Sequence, residues 1–95
     1  MEIFNSDSDA PYRAWIAAHP QGWVVNTRKP ADPGYLVLHR ARCPHISRDT
    51  ASDGQWTTQA YQKICAATLD DLRSFARAVG RADGSFSKEC AHCMA

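Results

Sequence analysis

Apolar positions along the chain fall into two helical stripes and three strand-like runs. After Ser8-Asp9-Ala10-Pro11, the residues Tyr12, Trp15, Ile16 and His19 recur at the spacing of one helix face. Asp9 suits the cap of such a helix, and Pro11 fits its first turn, where a missing N–H costs nothing. Pro20 and Gly22 end it. Trp23-Val24-Val25 is β-branched and aromatic, which predicts a strand. Residues 28–34 carry Pro30, Pro33 and Gly34, a turn signature. Tyr35-Leu36-Val37-Leu38-His39 predicts the next strand, its unbroken apolar run implying burial on both faces, and the two strands pair as an antiparallel hairpin. A polar loop follows over 47–55, then a third strand around Tyr61-Gln62-Lys63-Ile64-Cys65. Thr68 caps a second helix with Asp70 and Asp71 in its first turn, where the helix dipole favours acidic groups. Leu69, Leu72, Phe75, Ala76 and Val79 form its apolar stripe, and Gly80 supplies the left-handed stop.

The predicted fold class is α+β: a small antiparallel sheet of about three strands flanked by two helices. One domain spans residues 9–95 behind a flexible N-terminus over 1–8. At 95 residues the chain buries only about two-thirds of its unfolded surface, so a metal clip would add much to its stability.

Composition narrows the class further. Apolar residues make up 44% and charged residues 22%, as in globular domains, and no run approaches the roughly 18 apolar residues of a membrane span. The N-terminal Met1-Glu2-Ile3-Phe4-Asn5-Ser6-Asp7 lacks the layout of a secretion signal. The expected setting is the cytoplasm, with no membrane partner. Four cysteines in a reducing compartment point to metal before disulfides.

Cys90-Ala91-His92-Cys93 places two thiolates where they can converge on one tetrahedral ion. A thioredoxin-like redox role would need a strand before the pair and a helix after it, and no helix pattern follows this one. A structural zinc needs two more ligands. Cys43 follows the second strand, and the fourth is either Cys65, at the end of the third strand, or His45, from Cys43-Pro44-His45. The all-cysteine set, Cys43, Cys65, Cys90 and Cys93, is preferred. It fits a sheet in which the second and third strands are neighbours. His39 reads as a structural histidine at a strand end or as an anion contact.

Four segments together resemble a small zinc-binding-like domain of actinobacterial proteins, which occurs alone or joined to nuclease-type domains. They are Tyr12-Arg-Ala-Trp15 with His19-Pro-Gln-Gly-Trp-Val-Val-Asn26, then Leu38-His-Arg-Ala-Arg-Cys-Pro-His-Ile46, then Thr57-Thr-Gln-Ala-Tyr-Gln-Lys-Ile-Cys65, and Cys90-Ala-His-Cys93. Trp23 stands where phenylalanine is expected. The resemblance covers nearly all of the chain from Tyr12, assigns no activity, and implies through the nuclease fusions an association with nucleic acid.

The net charge is only +1, but residues 23–48 carry Arg28, Lys29, Arg40, Arg42 and Arg48 against Asp32 alone. The chain is therefore read as a non-enzymatic structural-zinc module whose nucleic-acid contacts come from Arg28, Lys29, His39, Arg40, Arg42 and Arg48. Trp23, Tyr35 and Trp56 are candidates for base stacking. The alternatives are a protein-interaction module with a purely structural zinc, and a small anion-binding domain using Asn26, His39, Arg40, Thr57 and Thr58. No nucleophile elbow, phosphate loop or catalytic metal motif occurs.

Overall fold

The computed structural model of the protein describes residues 1–5, 9–43 and 61–90. Seven elements follow in order: β1 (Glu2–Phe4), α1 (Asp9–Ala18), β2 (Trp23–Arg28), β3 (Val37–Arg40), β4 (Tyr61–Ala66), α2 (Leu69–Val79) and β5 (Lys88–Glu89). The strands form a single sheet in the order β1-β4-β2-β3-β5. All pairings are antiparallel except β3 with β5. The α+β class holds, and the sheet has five strands where about three were expected. The two additional strands lie at the edges. They have three and two residues, too few for an alternating pattern to register. Glu2–Phe4, inside the segment expected to be flexible, pair with β4 from Glu2 opposite Cys65 to Phe4 opposite Lys63.

The hairpin of β2 and β3 forms as expected, with Val24 opposite His39 and Val25 opposite Leu38. The third predicted strand, β4, pairs with β2 and not with β3, matching Trp23 to Ala66 and Val24 to Cys65. β2 is thus the centre of the sheet, which explains its two consecutive buried valines.

Successive side chains alternate between faces, so the sheet carries two cores. On one face Phe4, Val24 and Cys65 pack with Tyr12 and Ile16 of α1 and with Ala41, Cys43 and Cys90. On the other, Val25, Leu38, Ile64 and Ala66 pack with Leu72 and Ala76 of α2. Three layers result, helix on sheet on helix. The helical stripes read from spacing are those that pack, with Trp15 half-buried beside α1's contact and Leu69, Phe75 and Val79 beside α2's.

Local chemistry sets the ends of α2. The Thr68 hydroxyl accepts from the Asp71 N–H at 3.4 Å, and Gly80 at φ 124° donates its N–H to the Ala76 and Arg77 carbonyls. Arg81 then holds the following loop, donating from Nε to the Ser85 carbonyl at 2.8 Å and from its guanidinium to the Pro33 carbonyl at 2.8 Å. Within that loop, hydrogen bonds from the Ser85 hydroxyl and N–H, with the nearby Arg81 charge, hold the Asp83 carboxyl below its ordinary range.

Gly22 joins α1 to β2 where backbone and ring crowd together. A Cβ there would lie 2.8 Å from the Trp15 ring, 3.1 Å from the His19 carbonyl and 3.2 Å from the Ala66 carbonyl. Gly22→Ala is expected to destabilise the domain by about 1–3 kcal/mol, the usual range for overpacking. Urea unfolding measures it, and an unchanged midpoint would mean that Trp15 moves aside at no cost.

Candidate metal centre

Three elements deliver donors to one point beneath α1. His39 lies on β3, on the same face as its partner Val24. Cys43 ends the tight turn after β3, its N–H bonded to the Arg40 carbonyl at 3.0 Å and the turn anchored by Ala41 N–H to the Gly22 carbonyl at 3.0 Å. Cys90 follows β5. The parallel register sets Glu89 opposite Leu38, and Cys90 N–H donates to the Leu38 carbonyl at 2.9 Å, which brings Cys90 beside His39. The Ser87 hydroxyl helps to fix this register by accepting from Leu36 N–H at 2.8 Å and donating to its carbonyl at 3.0 Å.

The ligating atoms of His39, Cys43 and Cys90 all lie within 4.8 Å of one another, and all three residues are buried. The Cys43 and Cys90 sulfurs are 3.9 Å apart. Two thiolates on a tetrahedral zinc at Zn–S distances near 2.3 Å stand about 3.8 Å apart. A disulfide needs about 2.05 Å, so these two sulfurs are not bonded to each other. One imidazole and two sulfurs form a soft donor set suited to zinc, and their burial excludes competing water. These residues fit a metal ion on chemistry, on spacing and on burial.

Cys43 and Cys90, expected from sequence, are in this group. His39, read as a structural histidine or an anion contact, joins them. Cys65 does not belong to the group, although it shares the same apolar cluster. The cause is strand order. β2 lies between β4 and β3, so Cys65 is two strand spacings from His39, roughly 10 Å. Burial pushes the Cys65 thiol up to about 12, with the Lys63 charge pulling weakly against it. Cys93 and His45 lie outside the described residues. The signal for His39 was its spacing four residues before Cys43 at the end of a strand.

Among the described residues, the basic ones expected to meet nucleic acid stand in different settings. Arg40 stacks its guanidinium over Trp23 at 4.8 Å, on the α2 face. Arg28, at the other end of β2, lies over Tyr35 at 4.9 Å and pairs with Asp32 at 3.6 Å. Tyr35 and Tyr61 pack beside it with centroids 5.5 Å apart. Lys29 is half-buried, Arg42 is exposed, and His39 points into the core. Arg48 and Trp56 lie outside the described residues. Of the anion-site residues, Asn26 accepts from Lys63 Nζ at 2.7 Å on the same face as His39 and opposite Arg40, and Thr57 and Thr58 lie outside the described residues.

A cavity of about 400 Å³ lined by Leu38, Arg73, Arg77, Ser85, Phe86 and Glu89 opens on the α2 side, across the sheet from the donor group. No helix among the described residues is long and apolar enough to cross a membrane. No family model, curated protein or solved structure matches this chain, so what the centre does is argued from its own geometry.

Proposed function

We propose that the protein is a non-enzymatic module built around one structural zinc, held by His39, Cys43, Cys90 and, through the CxxC spacing, Cys93. The observation that carries this reading is the convergence of His39, Cys43 and Cys90 within 4.8 Å in a buried cluster. The four-residue set closes a tetrahedron and leaves no position for a reacting water, which separates structural from catalytic zinc sites. The ion would clip the short β5 and the turn after β3 to the sheet. Neither holds there by burial of large side chains: Lys88 and Glu89 are both exposed.

The test is elemental analysis of protein purified without added metal. About one zinc per chain is expected, as a single tetrahedral site requires. Protein that folds fully with no metal overturns the reading.

For the partner, the metal-anchored turn supports a macromolecular contact at Arg40, stacked on half-buried Trp23, and at exposed Arg42. A nucleic acid bound there would be released by salt in proportion to the phosphates met. Titration of mixed DNA and RNA pools into the zinc-loaded protein at low salt decides between this reading and a protein partner. Binding weakened by Arg42→Ala supports the nucleic acid, and undetectable binding leaves the protein-interaction module.

A further inference from the structure

We propose that Cys43 and Cys90 are a modification site: peroxide joins them in a reversible disulfide and thereby releases the metal. The inference rests on the zinc reading above and assigns a regulation to the same centre.

The geometry supplies both halves of the reaction. The two sulfurs stand 3.9 Å apart, and a bond between them needs about 2.05 Å, a closure of roughly 2 Å. Cys43 leaves the turn after β3 and Cys90 leaves β5, which pairs with β3, so the backbones are already tied together through Cys90 N–H and the Leu38 carbonyl. Metal coordination keeps both sulfurs as thiolates, the form that reacts with peroxide. Cys90 is 6% exposed against 1% for Cys43, so the oxidant meets Cys90 first.

The chemistry balances with one hydrogen peroxide. An oxygen passes to the Cys90 sulfur as sulfenic acid, the O–O bond breaks, and the other oxygen leaves as water after taking a proton. The Cys43 thiolate then attacks that sulfur, the S–S bond forms, and the hydroxyl leaves as a second water with another proton from solvent. The two thiolates together lose two electrons, and the peroxide gains them. With both sulfurs consumed, His39 alone remains of the described donors, and the ion leaves.

Cys65 is a built-in control. It is 0% exposed, lies outside the donor group and is kept protonated by burial, so it should not compete for the oxidant.

The experiment treats the zinc-loaded full chain with one equivalent of hydrogen peroxide. A chromogenic chelator follows the released metal, and non-reducing peptide mapping locates the bond. The expected result is about one zinc released per disulfide formed, that disulfide joining Cys43 to Cys90, with a thiol reductant and added zinc restoring the starting state. Cys65→Ala should behave as the wild type. Metal retained after the oxidant is consumed overturns the proposal, as does a bond mapped to Cys65 or between Cys90 and Cys93. Elemental analysis before the oxidant is added tests the zinc reading separately. Mapping the reduced, metal-free chain after the same treatment keeps the Cys43–Cys90 bond measurable should that reading fail.

Discussion

His39→Ala, Cys43→Ser and Cys90→Ser are each expected to lose stoichiometric zinc, while Cys65→Ala keeps it. The first three residues form the only described group of donors within 4.8 Å, and Cys65 lies outside it. Residues that merely orient a ligand change metal affinity by about 10–100-fold, so removing a ligand itself should weaken binding by more than about 100-fold. Structural zinc in small domains contributes roughly 10–16 kcal/mol, comparable with the whole stability of about 5–15 kcal/mol typical of a domain. The loss should therefore appear in folding as well as in metal content. It should begin where the ion holds most. The Cys90 N–H bond to the Leu38 carbonyl ties down β5, and its amide should exchange with solvent far faster in His39→Ala than in the wild type. The α2-side core of Val25, Leu38, Ile64, Leu72 and Ala76 has no donor residue in it and should be the last part to lose protection. Elemental analysis and amide exchange on the same preparations check both statements. Full zinc in His39→Ala, with loss in Cys65→Ala, would restore the four-cysteine set and remove the histidine from the centre.

The two helices and the central strands were legible because each buries a repeating stripe. Tyr12 and Ile16, or Leu72 and Ala76, have no other arrangement that hides them at helical spacing. The order of the strands was not legible. Val24 and Val25 mark a strand buried on both faces, but nothing in that dipeptide says whether β4 joins β2 or β3. The choice set which donors meet, because β2 lies between β4 and β3 and holds Cys65 away from His39. Lys88-Glu89 is two charged residues whose strand character comes from its neighbour and from Ser87 bonding to Leu36, so no propensity announces it. His39 was hidden for a related reason. In the run Tyr35–His39 the apolar residues suggested burial on both faces, yet once β3 is placed the alternation sends Leu38 to the α2 core and His39 toward α1. Cys90 could be read as a candidate donor from the CxxC spacing and Cys43 from its place after the second strand, and both are in the donor group.

Alkaline pH should destabilise the domain through Cys65 in a way that a zinc-bound cysteine could not. Burial pushes this thiol from its ordinary value of 9.0 up to about 12 in the folded chain. In the unfolded chain it loses its proton near the ordinary value, so between pH 9 and 12 the unfolded state binds fewer protons than the native one. Stability from this group is then fully present below pH 9 and is lost as pH rises toward 12. The slope is about 1.4 kcal/mol per pH unit and the total about 4 kcal/mol. Lysines and tyrosines titrate in the same range, so the informative quantity is the difference between wild type and Cys65→Ala. The alanine variant lacks the thiol in both states, and the wild type should lose about 1 kcal/mol relative to it between pH 9 and 10, approaching the full slope above pH 10. Urea unfolding at each pH, with zinc held in excess, measures that difference. Were Cys65 a ligand, it would be a thiolate in the folded protein at neutral pH, and raising the pH would ionise the unfolded chain toward the native state. The wild type would then gain on the variant as pH rises toward 9 and level off above it. A difference that grows with pH would place Cys65 on the metal, and a difference that shrinks at the stated slope places it in the apolar layer beneath α1.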